Sequence, residues 1–334
     1  MKKIRVGHIG TYHDHSAMIL NSLKKLSDIY EVIGVVCESD QRYNEIKDKE
    51  PYEGQKFMSM EELFSHKPDA CVIEGFELDN LKYAKECVKR KIHVHIDKPA
   101  GDDLKEFREV LDIAKRENLC VHMGYMYRYN PAFIKTKELI KSGALGEIYC
   151  VEAHMDCEHT KEKRQWLENF EGGMMFFLGC HLVDLIYNIM GEPESVIPYN
   201  TATMLDGVDA KDYGMALFKY KNAISFAKTC AAEVGGFLRR QLAVCGSCAT
   251  VQIKPFEKYI GKNGELETDM TVVFKKDAPD WGNEGEKFVF SGFDRYDDMM
   301  REFARCAAGE IKNPYDYEYE YNVQRLVLEA VKSL

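Results

Sequence analysis

The sequence predicts an α/β protein built from two different sheets. From residue 3 to about residue 123, short apolar runs alternate with helical patterns, which is the order expected of a parallel sheet with helices on both faces. From residue 124 onward, strand-like runs follow one another across short turns such as "KYKNA", which is typical of antiparallel pairing. We therefore expect a doubly wound parallel sheet in residues 1–123 and an α+β domain with a large, mostly antiparallel, open-faced sheet in residues 124–334.

The first region contains five predicted strands, with a helix after each of the first four. The strands are "KIRVGHIG", "YEVIGVVCE", "DACVIEG", "KIHVHID" and "CVHMGY". Helical patterns begin at Ser16, near Gln41, at Asp79 and at Asp102. Because helices separate the strands, the strands cannot pair as hairpins and should be parallel with right-handed crossovers. Ligands of such sheets bind beyond the carboxyl ends of the strands.

The second region is dominated by strand-like runs. They are "GEIYCVEAHMD", "ESVIPYNTATM", "DYGMALFKY", "NAISFAKTCAAE", "RRQLAVCG", "ATVQIKP" and "MTVVFK". One helix, centred on "FFLGCHLVDLIYNIMG", interrupts them, and two closing helices are expected over roughly residues 294–308 and 316–333. The C-terminal helix can pack back on the first domain.

The composition argues against several classes of protein. Hydrophobic residues make up 45% and charged residues 30% of the 334 residues, an ordinary balance for a globular chain. The formal charge of −10 repels nucleic-acid phosphates and anionic lipid, and no basic stripe offsets it. No run approaches 18 apolar residues, and the first residues lack the features of a signal peptide. We therefore expect a cytoplasmic protein that binds neither nucleic acid nor membrane.

The cysteines and histidines give no recognised metal signature. Most of the eleven cysteines lie inside apolar runs and are expected to be reduced core residues. The CxxC from Cys245 to Cys248 is expected to form a hairpin corner. The histidine groups at His13–His15 and His154–His159 lack a ligand spacing such as HExxH. No metal is therefore assigned.

The turn after the first strand is a candidate anion site. Gly10 ends the strand, and the amides that follow it would face an anion at the start of a helix. A dinucleotide fingerprint would read GxGxxG, but Tyr12 and His15 stand at its second and third glycines. Glu38 closes the second strand, where it could accept hydrogen bonds from a ribose diol and favour NAD over NADP, or be an ordinary surface glutamate.

Two further segments carry groups that can do chemistry. In "HVHIDKPAG", Lys98 follows a strand and would face the ligand crevice; the alternative is a solvated surface lysine. In "EGGMMFFLGCHLVDLIYNIMG", His181 and Asp184 are three residues apart on a probable helix and share one face. Such a pair can take a proton from an alcohol, whereas a single histidine on an apolar helix is more often a satisfied core residue.

Taken together, five segments resemble the Gfo/Idh/MocA family, the group of glucose-fructose oxidoreductase and inositol dehydrogenase. They are "RVGHIGT", "DKPAG", "GYMYRYNP", "SGALGEIYCVE" and "GGMMFFLGCHLVDLI", in the family's order. The resemblance implies an N-terminal Rossmann domain that binds a nicotinamide cofactor and a C-terminal open-faced sheet that often forms dimers or tetramers. It also implies a sugar, polyol or related substrate.

The resemblance assigns roles to particular residues. Lys98 matches the lysine beside the nicotinamide, His181 matches the acid/base histidine, and Arg128 and Asp184 match other characteristic positions. Phe177 stands where the family has an aspartate, and a phenyl ring cannot accept its proton. We expect substrate contacts from Arg128, His154, Asp156, Trp166, Asp184 and Tyr187. We expect cofactor contacts from Gly10, Thr11, Tyr12, His13, Glu38, Glu74, Gly75, Asp97 and Lys98.

The leading hypothesis is an NAD-dependent dehydrogenase, with NADP the less favoured cofactor, acting on a secondary alcohol of a sugar-like substrate. One alternative is a hydrolase or lyase that retains NAD and causes no net redox change. Another is a non-catalytic binding or regulatory protein on the same scaffold, an alternative suggested by Tyr12, His15 and Phe177. A homodimer or homotetramer is expected in each case.

Overall fold

A computed structural model describes residues 3–261 and 264–332, which form two compact units. The first unit contains the described residues up to Met126 together with Tyr296–Gln324. The second unit contains Tyr127–Arg295 and the described residues from Arg325 onward. The division thus falls after residue 126 rather than after residue 123, and the segment 296–324 belongs to the first unit.

The sheet of the first unit is five-stranded and entirely parallel, with the strand order β2-β1-β3-β4-β5. Its strands are β1 (Ile4–Ile9), β2 (Tyr30–Val36), β3 (Ala70–Ile73), β4 (His93–Ile96) and β5 (Val121–Met123). This confirms the predicted parallel sheet. The order reverses between β1 and β3, and such a reversal is where ligands of open α/β sheets bind.

Helices connect these strands, and the connection between β2 and β3 contains two helices where the sequence predicted one. They are α1 (Ser16–Lys25), α2 (Asp40–Ile46), α3 (Met60–Ser65), α4 (Asn80–Lys89) and α5 (Leu104–Glu117). In α5 the residues Phe107, Val110, Leu111 and Ala114 are buried, at the spacing of one helix face. The carboxylate of Asp103 accepts hydrogen bonds from the first-turn amides of α5, which accounts for where this helix begins.

The sheet of the second unit is nine-stranded in the described part of the chain. Its strands are β6 (Ile148–Asp156), β7 (Ser195–Thr201), β8 (Tyr213–Lys219), β9 (Ile224–Cys230), β10 (Gln241–Gly246), β11 (Ala249–Ile253), β12 (Lys258–Ile260), β13 (Glu265–Phe274) and β14 (Glu286–Phe293). They follow the order β12-β13-β11-β10-β6-β9-β8-β7, and β14 pairs with β13. All pairs are antiparallel except β6 with β9, which is parallel, so the predicted mostly antiparallel sheet is confirmed.

The helices of the second unit are α6 (Pro131–Lys141), α7 (Lys161–Trp166), α8 (Cys180–Met190) and α9 (Gly236–Arg239). Helix α8 packs on β6 and β9. A π-helical turn, Met175–Gly179, leads into α8, so the helix predicted around "FFLGCHLVDLIYNIMG" has two parts. Gly173 begins this segment with a φ of +51°, and a Cβ there would overlap the carbonyl of Lys211. This position therefore requires glycine.

Two helices close the chain, α10 (Asp297–Ala307) and α11 (Tyr317–Ala330). Within the first unit, Ser22 donates a hydrogen bond to Asp297 of α10 at 2.7 Å, and the Tyr30 hydroxyl donates one to the carbonyl of Met300. The side chain of Gln324 in α11 accepts a hydrogen bond from the Ala100 amide at 3.0 Å. Across residues 3–261 and 264–332, no helix has the length and apolar character needed to cross a membrane.

Candidate functional site

Gly10 shapes the turn at the end of β1. Its φ is +87°, a conformation that L side chains rarely adopt. A Cβ at this position would also overlap the backbone of Gly75 after β3. Glycine is therefore required here by its conformation and by the close approach of two chain segments. The Gly75 amide donates a hydrogen bond to the side chain of Asn80 at 3.0 Å, which fixes this neighbouring segment.

The amides after Gly10 already bind an anion, the carboxylate of Glu38. One carboxylate oxygen accepts hydrogen bonds from the amides of Thr11 at 2.7 Å and Tyr12 at 3.1 Å. The other accepts a hydrogen bond from the Thr11 hydroxyl at 2.7 Å. The turn thus has the chemistry of an anion cradle, as predicted. In this structure the anion held by the turn is the carboxylate of Glu38.

Arg42 in α2 is a residue of this turn that sequence reasoning missed. Its guanidinium donates to the Thr11 carbonyl at 2.6 Å and lies 5.3 Å from the centre of the Tyr12 ring. The Tyr12 side chain is 46% exposed, so it turns outward rather than filling the cradle. The signal in the sequence was the position of Arg42 four residues after Glu38, one helical turn into α2. An arginine beside an acidic residue leaves NAD and NADP both chemically reasonable.

Lys98 is buried, with 1% of its surface exposed, which excludes the alternative of a solvated surface lysine. It follows Asp97 at the carboxyl end of β4, and its amide donates to that carboxylate at 2.6 Å. The Nε2 of His13 lies 3.1 Å from the carbonyl oxygen of Lys98. The predicted residues His13, Asp97 and Lys98 therefore form one buried group.

Glu74, also predicted from sequence, lies beside this group and is fully buried. Burial and the neighbouring charge of Asp97 raise the pKa of the Glu74 carboxyl well above its usual range. Its oxygens lie 3.9 Å from Nδ1 of His13 and 3.8 Å from Nε2 of His95. Glu77 was missed by the sequence reasoning, and its carboxylate lies 3.7 Å from Nε2 of His13. A concentration of buried acids and imidazoles thus surrounds the end of β4.

In the second unit, His181 lies in the first turn of α8 and is 1% exposed. Its ring packs edge-on against Tyr127, with ring centres 4.8 Å apart. The Tyr127 hydroxyl donates to Glu257 at 2.7 Å, and Arg240 donates to both groups. This network, which includes residues that sequence reasoning missed, orients the aromatic ring against which His181 packs. Tyr127 belongs to the quoted segment "GYMYRYNP", which was the available signal.

Arg128 and Asp184 bind each other. The guanidinium donates three hydrogen bonds to the carboxylate, at 3.0, 3.0 and 2.7 Å. Arg128 is 2% exposed and Asp184 is 1% exposed. Asp184 shares the α8 face with His181 as predicted, but its carboxylate is engaged by the guanidinium, which is a structural role.

The remaining predicted substrate residues fall into separate groups. Asp156 on β6 pairs with Lys228 on β9 at 3.0 Å, and burial raises the pKa of its carboxyl to about 6. His154 lies beside Lys228 in the same strand pair, and burial lowers its pKa. Trp166 packs edge-on against Phe177 with ring centres 5.3 Å apart. Tyr187 is half-buried in α8.

Phe177 belongs to an aromatic cluster rather than to a polar one. Its ring stacks parallel to Phe170 and contacts Trp166, and it is 5% exposed. The ammonium of Lys163 lies 3.6 Å from the Trp166 ring centre and 4.5 Å from that of Phe177, a cation–π arrangement. The position that holds an aspartate in the resembled family thus presents an apolar surface here.

Two family descriptions match this chain. "Oxidoreductase family, NAD-binding Rossmann fold" matches residues 4–125, and "GFO/IDH/MocA C-terminal domain" matches residues 133–252. The matches to the first curated relatives span only 29 to 46% of the relatives' own length. A longer match, at 20% identity, covers 93% of this chain and 87% of a myo-inositol 2-dehydrogenase from Thermotoga maritima.

Solved structures show the same fold. An oxidoreductase from Thermotoga maritima superposes with a TM-score of 0.78 at 18% identity, covering 99% of this chain and 97% of that one. The WlbA dehydrogenase from Bordetella pertussis, crystallised with NADH and UDP-GlcNAcA, superposes with a TM-score of 0.75 at 16% identity, covering 98% of this chain and 95% of that one. At these identities the likeness establishes the architecture of both units.

Proposed function

The chain belongs to the GFO/IDH/MocA family of oxidoreductases, and we propose from this premise that it transfers a hydride between NAD and a secondary alcohol of a sugar or polyol. The observation that carries the proposal is Lys98, a fully buried lysine at the carboxyl edge of a parallel sheet. Burying an ammonium group is costly unless its charge is used or compensated. The charge of Lys98 acts on the buried carboxyl of Glu74, where it partly offsets the rise in pKa that burial causes. A substrate oxygen would be a further partner for this ammonium group.

NAD suits the first unit because the Gly10 turn holds an anion. Gly10, Thr11 and Tyr12 would hold a phosphate once Glu38 withdraws, and Glu38 is then placed to accept hydrogen bonds from a ribose. When bound, the cofactor supplies the hydride acceptor. The NADH in the WlbA structure is consistent with this choice of cofactor.

The proton of the alcohol is assigned to His181. A neutral imidazole accepts a proton at neutral pH, and His181 is held in the first turn of α8 against Tyr127. In the first unit, Lys98 is the group proposed to polarise the reacting oxygen. Phe177 removes the third group that the family resemblance would supply, so His181 is the proton acceptor proposed in the second unit. Asp184 supports α8 by binding Arg128.

The substrate class follows from the polar and aromatic groups of the second unit. His154, Asp156 and Lys228 present donors and acceptors on one face of the β6–β9 strand pair, which suits a polyhydroxylated molecule. The half-buried ring of Trp166 offers an apolar surface to the carbon skeleton of such a molecule. Myo-inositol 2-dehydrogenase, a relative that aligns with most of the chain, acts on a substrate of this class.

The test is an anaerobic assay of the full chain with NAD and a panel of sugars and polyols, following the absorbance of reduced nicotinamide. Lys98→Met and His181→Asn are expected to lower kcat/KM at least about 100-fold while NAD binding persists. The exposed Lys115 and the half-buried His66 supply the matched controls Lys115→Met and His66→Asn, which should keep full activity. Turnover that survives both active-site substitutions would contradict the assignment.

A second candidate is a non-catalytic binding protein, favoured by the occupied cradle and by Phe177. Calorimetric titration separates the two functions, because a catalyst must bind NAD or NADH and a mere scaffold need not. Cofactor that copurifies and is regenerated in each turnover would instead indicate the redox-neutral hydrolase or lyase.

We also propose that the chain forms a homodimer or homotetramer through the sheet of the second unit. Ile197, Leu217 and Phe226 are in register on adjacent strands, and Tyr199 and Ile224 on the same face are 49% and 57% exposed. An exposed apolar face of this kind is typical of an association surface. Light scattering coupled to size exclusion should give a dimer or larger, and Ile224→Lys should shift the mass to that of one chain.

A further inference from the structure

Three ligand atoms converge between the β1–α1 turn and the end of β4. The carboxylate oxygen Oδ2 of Asp97 lies 3.1 Å from Nδ1 of His13 and 3.0 Å from Nδ1 of His15. The ligand atoms of all three residues lie within 4.8 Å of one another. We propose that His13, His15 and Asp97 bind a divalent first-row transition-metal ion such as Zn²⁺. The sequence analysis did not predict this metal site, because Asp97 lies 82 residues after His15 in the chain.

The hydrogens on His13 favour an ion at this position. Its Nε2 faces the carbonyl oxygen of Lys98 at 3.1 Å, so Nε2 carries the hydrogen in the neutral ring. Its Nδ1 lies 3.1 Å from the backbone amide of His15, which donates to it, and 3.1 Å from an oxygen of Asp97. This nitrogen and this oxygen both present lone pairs, and an ion bound by both atoms would replace the hydrogen bond from the His15 amide.

The contact of His13 with the Lys98 carbonyl is also the arrangement expected behind a metal ligand. A histidine that binds a metal through one ring nitrogen usually donates the other N–H to a carboxylate or a backbone carbonyl. That hydrogen bond fixes the tautomer and the ring orientation. His13 has this bond, and it is 3% exposed, so the orientation of its ring is fixed before any ion arrives.

A second, independent observation is a pair of buried carboxyl groups beside the three residues. Glu74 is fully buried, and neither of its oxygens has a hydrogen-bond partner among the described residues. One of them lies 3.9 Å from Nδ1 of His13, close enough to become a fourth ligand after a small side-chain rotation. Glu77 adds another buried carboxyl group 3.7 Å from the His13 ring. Buried polar groups of this kind are normally hydrogen-bonded or bound to metal.

The donor set selects the class of ion. Two imidazole nitrogens with one or two carboxylate oxygens suit Zn²⁺, Co²⁺, Ni²⁺ or Fe²⁺, whereas Mg²⁺ and Ca²⁺ prefer oxygen ligands alone. The ion would connect the segment before α1 to the residue that precedes Lys98. Its role would be to hold the Lys98 backbone in place, whether or not the chain is a dehydrogenase.

The test uses the full chain after removal of metal by chelation, without cofactor or substrate. Titration with Co²⁺ should give one equivalent of a visible d–d spectrum without a thiolate charge-transfer band, and Zn²⁺ should displace it. His15→Gln and Asp97→Asn should weaken binding at least tenfold. His66→Gln at a half-buried histidine and Cys248→Ser at an exposed cysteine should not.

Thermal melting keeps the test meaningful if a variant is less stable. Zn²⁺ should raise the Tm of the wild-type chain and of His66→Gln, and it should leave the Tm of His15→Gln unchanged even where that variant starts lower. Unaltered Co²⁺ binding in both site variants, a thiolate band in the spectrum, or no stoichiometric binding would overturn the proposal. None of these results depends on NAD or on an alcohol substrate, so a failure of the proposed oxidoreductase activity would be seen separately.

Discussion

Asp184→Asn should destabilise the second unit by about 3 kcal/mol or more. The substitution removes the charge from a carboxylate that accepts three hydrogen bonds from Arg128. Arg128 is 2% exposed and Asp184 is 1% exposed. A buried guanidinium then lacks its counter-charge, and breaking such a pair typically costs about 3–5 kcal/mol. With a urea m-value of about 2–3 kcal/mol/M, the unfolding midpoint should fall by about 1 M or more.

Tryptophan fluorescence is the appropriate probe for this experiment, because both tryptophans lie in the second unit. Trp166 packs against Phe170 and Phe177 and will report unfolding, whereas Trp281 is fully exposed in the folded protein and contributes a nearly constant background. Urea titration of the wild-type and variant chains then gives the change in the free energy of unfolding of this unit.

The chain supplies a matched control in the pair of Arg325 and Glu192. It has the same chemistry, with contacts of 2.6 Å, but its side chains are 26% and 53% exposed. Glu192→Gln should therefore cost less than about 1 kcal/mol. A cost of that size for Asp184→Asn as well would refute the structural role of the buried pair. Recovery of stability in the double variant Arg128→Met with Asp184→Leu would support it.

Three further predictions concern the first unit. Gly10→Ala should lower the Tm and reduce the free energy of unfolding by about 2 kcal/mol or more, because the φ of Gly10 is +87° and a Cβ would overlap Gly75. The control is Gly54→Ala, at a φ of +75° with open space around it, which should cost about 1 kcal/mol. Glu38→Ala should raise the affinity for NADP relative to NAD at least tenfold, because Arg42 beside the turn would then face a 2′-phosphate without a competing carboxylate. Calorimetric titration measures both affinities, and an unchanged ratio of the two would contradict the prediction. Burial lowers the pKa of His8 to about 4 from 6.5. The contribution of His8 to the free energy of unfolding is therefore complete above about pH 6.5 and is lost as the pH falls toward 4, by up to about 3 kcal/mol. His8→Asn should make the stability measured by urea unfolding depend less on pH in this range, and an equally steep dependence would contradict the prediction.

The sheets and the Gly10 turn could be predicted from sequence because they depend on local patterns. Apolar runs separated by helices define the parallel sheet, and a single glycine at the end of β1 defines the turn. The parallel pairing of β6 with β9 could not be predicted, because these strands are separated by α8 and by an antiparallel pair of strands. Register between distant strands is set by packing that a local pattern does not contain.

The candidate site was predicted less completely than the fold. The burial of Lys98 agrees with its predicted orientation toward the ligand crevice. Glu38 contacts the amide of Thr11, which lies 27 positions earlier in the chain, and Arg128 pairs with Asp184, which lies 56 positions later. Both contacts depend on side-chain rotamers and on the packing of distant segments, which sequence alone does not specify. His13, His15 and Asp97 illustrate the same limit, because their spacing in the chain resembles no motif although the fold brings them together.

Under the proposed function, the carboxylate of Glu38 competes with the dinucleotide for the amides of Thr11 and Tyr12. The apparent Kd for the dinucleotide would then equal the intrinsic value divided by the fraction of time in which this side chain leaves the amides. Such competition would favour exchange of the coenzyme over its permanent retention.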